Sequence, residues 1–284
     1  MINPSRIALA ITTYYPKWYS GKLRSLKHTD KIRGDLALEF CQKATSLGYH
    51  VVCSDAKGAK TFHNKLKQIQ GLTLCQLKQH KRSPSKRHAY KIAAQIPGVK
   101  VIIGTEPEKV SLIDSVEEIA KPMLEDKADI VVMKRNDKLF RDSYPTYMYE
   151  SETEGNKLYN EFLKLYKLLP QKSPDLDMFF GPRAFRNEKK ILKLFMKKHE
   201  VKVGKLTLPK EYFDPEQLSN TSFFPIIEAL KKKLRIESVE IPFKYPKLQK
   251  QNESQGNLEF FEEKRKAQRL SLILELVHFL GTIS

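Results

Sequence analysis

The stretch Ile7–Ala56, IALAITTYYPKWYSGKLRSLKHTDKIRGDLALEFCQKATSLGYHVVCSDA, decides the fold. It begins and ends in apolar runs, Ile7–Thr13 and His50–Ser54, which are too short for helices and lack a polar alternation. Such runs read as strands buried on both faces, as parallel strands are. Between them, Tyr14–Thr29 is polar, aromatic and glycine-containing, so it reads as a loop. Lys31–Leu47 carries Ile32, Leu36, Phe40, Cys41, Ala44 and Leu47 at helical spacing, and Gly48 stops it. Strand, crossover helix and strand make one βαβ unit.

The same alternation continues outward. Ala59–Gln70 reads as a helix, Thr73–Leu77 as a strand, and Ser85–Gln95 as a helix opened by Ser83-Pro84-Ser85. Val99–Gly104 is the next strand, followed by Thr105-Glu106-Pro107-Glu108, a helix to about Leu124, and the strand Ala128–Met133. This order predicts an α/β fold with a doubly wound, mostly parallel sheet flanked by helices. Ligands of such sheets bind outside the carboxyl ends of the strands. The positions to watch are therefore Thr12–Tyr15, Asp55, the loop in the 80s, Thr105–Glu108 and Arg135.

The second half is less regular. Helices are expected at Glu152–Leu169, Glu188–His199, Thr221–Lys233 and Phe260–Phe279, with a strand at Ile236–Tyr245. Asp175–Phe185 reads as a loop with a strand-like core, and Pro246–Gly256 as an exposed polar stretch. There is no internal repeat and no long linker, so 1–284 reads as one domain. Its parts are a nucleotide-binding half (1–135), an acceptor-side half (136–256) and a closing C-terminal helix (257–284).

With 40% hydrophobic and 30% charged residues, the 284-residue chain is globular in composition. No apolar run approaches the roughly 20 residues of a bilayer span, and no signal peptide is expected from Met1–Arg6. Cys41, Cys53 and Cys75 form no CxxC pair. A soluble protein of a reducing cytoplasm is expected. The net charge of +18 favours an anionic partner without choosing among nucleic acid, anionic lipid and phosphorylated small molecules. A generally lysine-rich composition is the alternative.

Several chemistries are excluded by what the strand ends lack. No GxGxxG, GxxxxGK[ST], GxSxG or HExxH occurs, which argues against dinucleotide enzymes, P-loop kinases, α/β-hydrolases and zinc peptidases. What remains is acidic. A carboxylate at Asp55 suits a ribose hydroxyl or a base N–H, or is a turn aspartate. Glu106 and Glu108 offer hard oxygens for Mg²⁺ or Mn²⁺ beside a diphosphate; Thr105-x-x-Glu108 is also a capping box. Arg82, Lys86 and Arg87 could neutralise a diphosphate, or form a solvated helix face. Asp177, beside Phe179 and Phe180, would be partly desolvated and raised toward a general base's range; a structural turn aspartate is the alternative.

In their order and spacing, these segments resemble a family 2-type GT-A glycosyltransferase over about nine tenths of the chain. IALAITTYYP resembles that family's first strand and nucleotide-contacting turn, which makes Thr12 and Tyr14 donor contacts. Asp55 falls where the family places its base or ribose carboxylate. SPSKRHAYKIAAQ resembles the helix before the metal-bearing strand. Glu106-Pro107-Glu108 takes the slot of the DxD motif, with glutamates in place of aspartates. EDKADIVVMKR, ending at Arg135, resembles the following strand. DMFFGPRAF resembles the acceptor-side D-x-x-x-G-x-r-a-f segment, similar to polyprenyl-phosphate sugar synthases and glucosyl-phosphoglycerate synthases. PIIEALKKKLRIESVEIPFKY resembles the late strand region, and EEKRKAQR a terminal basic helix. The resemblance implies a GT-A-like fold and a hexosyltransferase using a UDP- or GDP-sugar donor with Mg²⁺ or Mn²⁺. Asp177 would be the base if the enzyme inverts.

Three other readings stand beside it. A sugar-phosphate nucleotidyltransferase should open with a glycine-rich loop, which Thr12–Pro16 is not. A basic nucleic-acid-binding domain lacks a recognised module, so no nucleic acid is expected as partner. The third is a GT-A fold that has lost activity. The acceptor is unknown. Leu270, Ile273, Leu274, Val277 and Leu280 follow a basic start at Arg265, so the last helix reads either as a closing core helix or as one lying on anionic lipid at the inner face of a membrane.

Overall fold

A computed structural model describes residues 2–77, 81–199 and 213–283; the 80s loop lies partly outside them. Strand β1 (Ile7–Thr13) is apolar because both of its faces are covered. Ile7, Leu9 and Ile11 enter one core, Ala8 and Ala10 the other. Each fully buried large aliphatic side chain contributes roughly 1.5–3 kcal/mol.

The strands β2 (His50–Asp55), β3 (Leu72–Gln76), β4 (Val101–Gly104), β5 (Ile130–Arg135), β6 (Arg183–Arg186) and β7 (Ile236–Ile241) join β1 in one seven-stranded sheet. The order across it is β3-β2-β1-β4-β6-β5-β7. Only β6 runs against its neighbours, antiparallel to β4 and β5. The sheet is therefore mixed and mostly parallel. Asp55, Gly104 and Arg135 all fall at its carboxyl edge.

Of the helices, α1 (Thr29–Ser46), α2 (Lys60–Lys67), α3 (Arg82–Gln95), α4 (Val116–Leu124), α5 (Asp137–Ser143) and α6 (Thr146–Leu165) precede β6. After it come α7 (Lys189–Met196), α8 (Ser219–Ser222), α9 (Phe224–Lys231), α10 (Lys247–Gln251) and α11 (Leu258–Ile283). One face of the sheet is covered by Phe40 and Cys41 of α1, Phe62 of α2 and Ile119 of α4. The other face carries Tyr90 of α3, Tyr159 of α6, Phe195 of α7, Ile227 of α9 and Leu276 of α11. Gly48 follows α1 with φ +81°, a left-handed turn that a side chain would strain.

From β1 the chain winds outward through β2 to β3, and α3 then carries it back to β4 on the other side of β1. The strand order thus reverses between β1 and β4, which opens a crevice at their carboxyl ends.

Several expected boundaries move. Helix α3 begins three residues before Ser85, and α6 begins at Thr146 rather than Glu152, burying Met148. The segment after Glu108 is a 3₁₀ turn, Val110–Ser115, before α4. Pro246–Gly256 is not an exposed stretch: α10 and a following π turn bury Gln249, Asn252 and Glu253. Its polar side chains find partners inside, with Glu253 bound by Arg33, Tyr245 and Gln249. On α11, Leu280 is buried and Ile273 half-buried, whereas Leu270, Leu274 and Val277 are exposed. Among the described residues, no helix is long and apolar enough to cross a membrane.

Candidate active site

A cleft of about 290 Å³ opens at the carboxyl ends of β1 and β4, lined by Thr12, Tyr14, Arg82, Lys86, Glu106, Glu108 and Arg135 among others. Six further basic or acidic side chains reach it that were not expected as site residues: Arg33, Lys81, Lys109, Glu152, Lys264 and Arg265. Phe179, Phe180, Phe223 and Phe243 make an apolar wall.

The loop after β4 supplies the acids. Thr105 caps no helix; its amide bonds the Ala10 carbonyl, and helical structure starts only at Val110. The capping-box alternative is therefore not formed. Lys86 Nζ lies 3.3 Å from Glu106 Oε1, and Lys109 Nζ lies 3.9 Å from Oε2. Burial pushes the Glu106 carboxyl up, but Lys86, Lys109 and Arg82 outweigh it and hold it down to about 2. Glu106 packs on Gly181, where a Cβ would come within 2.7 Å of Oε1. Glu108 turns the other way, its Oε1 accepting from the Tyr15 hydroxyl at 3.0 Å.

This geometry does not suit Glu106 and Glu108 as a divalent-metal pair. The two carboxylates serve different partners, and among the described residues no three His, Cys, Asp or Glu side chains cluster to hold a metal ion. Glu106 Oε2 makes no hydrogen bond, yet it is buried beside Gly181 and Lys109 rather than presented to the cleft. A metal here would also meet the charges of Lys86, Lys109 and Arg82 around Glu106, and of Arg33 near Glu108. At about 4 Å, each contact between a divalent ion and one of these unit charges costs about 2–8 kcal/mol, depending on effective dielectric.

The basic residues divide into paired and unpaired. Lys86 also donates to Ser222 Oγ at 3.2 Å. Arg33 is bound to Glu253 at 2.8 Å and Arg265 to Glu152 at 3.2 Å. Burial opposes the charge on Arg33, but Glu108 and Glu253 outweigh it and raise its pKa. Arg87 forks onto Glu216 at 2.6 and 3.1 Å and does not line the cleft, so the structure does not bring it to the site. Arg82 is exposed at the cleft and makes no ion pair among the described residues.

Asp55 and Asp177 both sit behind the cleft wall. Asp55 is fully buried; its oxygens take the Thr13 hydroxyl at 2.9 Å and His63 Nδ1 at 2.8 Å, tying β1 to β2 and α2. Neither aspartate lines the cleft. Asp177 binds Arg135 in a fork, with Nε at 2.8 Å and Nη2 at 2.7 Å, and also accepts from Asn156 Nδ2 at 2.8 Å. The expectation of a raised Asp177 carboxyl is corrected here: burial pushes it up, but Arg135 overrides burial and lowers it. Arg135 itself is 2% exposed, bound also to Glu152 and stacked 3.6 Å from the centre of the Phe140 ring. Arg183, also buried, donates to the carbonyls of Met178 and Pro182 at 2.6 and 2.7 Å, fixing the loop that carries Phe179 to Gly181.

No protein-family model matches the sequence, and no curated protein matches it. Solved structures similar to it include a protein described as a nucleotide-diphospho-sugar transferase from Desulfovibrio desulfuricans G20 (11% identity, 98% of each chain, TM-score 0.46). A second is 4-diphosphocytidyl-2C-methyl-D-erythritol synthase from Anaerococcus prevotii (9% identity, 93% of this chain and 100% of that one, TM-score 0.44). A third is residues 1–349 of S. aureus TarS (12% identity, 82% of this chain, TM-score 0.40), of which this chain spans 58%.

Proposed function

We propose that the chain is a glycosyltransferase that moves a hexose from a UDP- or GDP-sugar to an acceptor hydroxyl or phosphate. The observation that carries this is the cation-lined cleft at the β1/β4 crevice, where Arg82 and Lys86 of α3, Lys109 after β4 and Lys264 of α11 converge. Segments distant in sequence meet there: the turn after β1, the start of α3, the Glu106–Glu108 loop and the Phe179–Gly181 loop. They are the segments whose residues resemble a glycosyltransferase. The turn after β1 is not glycine-rich, which favours sugar transfer over nucleotidyl transfer.

In the proposed reaction the bond from the anomeric carbon to the diphosphate breaks, and its electron pair stays on the phosphate oxygen. The acceptor oxygen bonds to the anomeric carbon and gives its proton to a carboxylate of the cleft. Glu106, held down to about 2, is too weak a base. Glu152 is held between Arg135 and Arg265. Glu108 keeps its Oε2 free of hydrogen bonds among the described residues and takes that role. Cations set around the leaving phosphate stabilise charge that develops as the bond breaks. Asp177 acts through Arg135 as a positioning residue.

Incubation with UDP- and GDP-hexoses tests the proposal. Slow release of UDP or GDP is expected without acceptor, because water substitutes for it. Formation of nucleoside triphosphate on adding pyrophosphate would instead mark a nucleotidyltransferase, and no turnover or binding of any nucleotide sugar would refute the reading.

A further inference from the structure

Of the basic side chains lining the cleft, Arg82 and Lys264 alone make no ion pair among the described residues. They are far apart in sequence, Arg82 in the first turn of α3 and Lys264 on α11. Both are exposed, so neither is held by packing alone. Lys264 stands over the Phe260 and Phe261 rings at 5.8 and 5.7 Å. Within its field are Arg33 on α1, Arg82 on α3 and its own neighbour Arg265, opposed by Glu253 on the π turn.

Resting on the glycosyltransferase reading, we infer that Arg82 and Lys264 clamp the diphosphate of the nucleotide sugar between them and neutralise it in place of a divalent metal. Like charges converging on one cleft repel one another, and an anion between them relieves that repulsion. A nucleotide-sugar diphosphate carries one negative charge per phosphate, which two unpaired cations match. Glu106 and Glu108 lie in the field of Arg82 and offset part of its charge, but neither pairs with it: Glu106 is held by Lys86 and Lys109, and Glu108 Oε1 accepts from Tyr15. Partial desolvation and the like charges of Arg33, Arg82 and Arg265 pull the Lys264 ammonium down to about 7, although the side chain still reaches water. An anion should restore it, so binding takes up a proton.

Calorimetry with UDP and GDP as probes, in excess EDTA and in excess Mn²⁺ or Mg²⁺, tests this on the full chain. One nucleotide is expected to bind with affinities equal within about twofold in the two conditions. Arg82→Ala and Lys264→Ala should each weaken it about tenfold or more, as loss of a charge-assisted contact does, with unchanged unfolding temperatures because both residues are exposed. Near pH 8 the wild-type enthalpy should differ between Tris and HEPES by the uptake of a proton. Lys264→Arg should keep binding and lose that difference. Binding that disappears in EDTA, or alanine variants that bind like wild type, would overturn the clamp and leave the transferase reading standing. No binding of either nucleotide in any condition would overturn both.

Discussion

Replacing Asp177 by alanine removes the partner of a guanidinium that has almost no access to water. Asp177 accepts from Arg135 Nε and Nη2, from Asn156, and from the amides of Arg135 and Phe180. Breaking a buried ion pair from one side typically costs about 3–5 kcal/mol, since the remaining charge stays buried. Here Glu152 still holds Arg135 Nη1 and Phe140 still covers the guanidinium. The expected loss therefore lies at the lower end, about 3 kcal/mol. With a urea m-value of about 3 kcal/mol/M, that moves the midpoint down by about 1 M. Asp177→Asn keeps one acceptor and should lose less. Removing both partners, in Arg135→Met with Asp177→Leu, should restore part of the loss and give a coupling of about 2 kcal/mol or more. Urea unfolding followed by circular dichroism measures all of these. A destabilisation by Asp177→Ala below about 1 kcal/mol, or strictly additive variants, would refute the positioning role. A general base would behave differently, with native stability and a rate loss of about 10²–10⁴.

Two further outcomes follow from α11. Glu275, 2% exposed, accepts from the Asp214 amide at 3.1 Å and Ser271 Oγ at 3.2 Å, and burial pushes its carboxyl from 4.5 up to about 7. Its folded pKa is above its unfolded one, so its contribution is greatest below about pH 4.5, declines between 4.5 and 7, and stays lost above. The full shift corresponds to at most about 3 kcal/mol, so Glu275→Gln should flatten that decline in urea titrations; a variant with the wild-type pH profile would contradict it. The exposed Leu270, Leu274 and Val277, near Lys266 and Arg269, are expected to carry the chain onto anionic phosphatidylglycerol vesicles in flotation, and Leu274→Glu to release it. No flotation of wild type would leave that face solvated.

The first half of the fold was legible because its strands are buried on both faces, which leaves runs such as Val101–Ile103 without a polar residue. The antiparallel β6 was not, because Arg183-Ala184-Phe185-Arg186 shows no strand alternation. Its place is set by pairing with Ile102 on one side and Ile130 on the other. At the site, strand ends pointed to Thr12, Tyr14, Glu106, Glu108 and Arg135, which do line the cleft. The same rule placed Asp55 at the correct edge but could not tell that Thr13 and His63 turn it inward. Arg87 follows Lys86 directly, and one residue of helix rotation sends it to Glu216 instead. Arg33, Glu152, Lys264 and Arg265 lie on long helices among many like residues, and only the tertiary packing of α1, α6 and α11 brings them to one cleft.

A nucleoside diphosphate is expected to occupy the crevice between β1 and β4. Hydrogen exchange with and without a UDP- or GDP-hexose, read by mass spectrometry, locates it directly. Protection is expected at Thr12–Tyr15, at the start of α3 around Arg82–Arg87, at Thr105–Lys109 and around Lys264 on α11, with the surface of α7 unchanged. Protection confined to peptides away from the carboxyl edge, with those four segments unchanged at saturating nucleotide sugar, would contradict it.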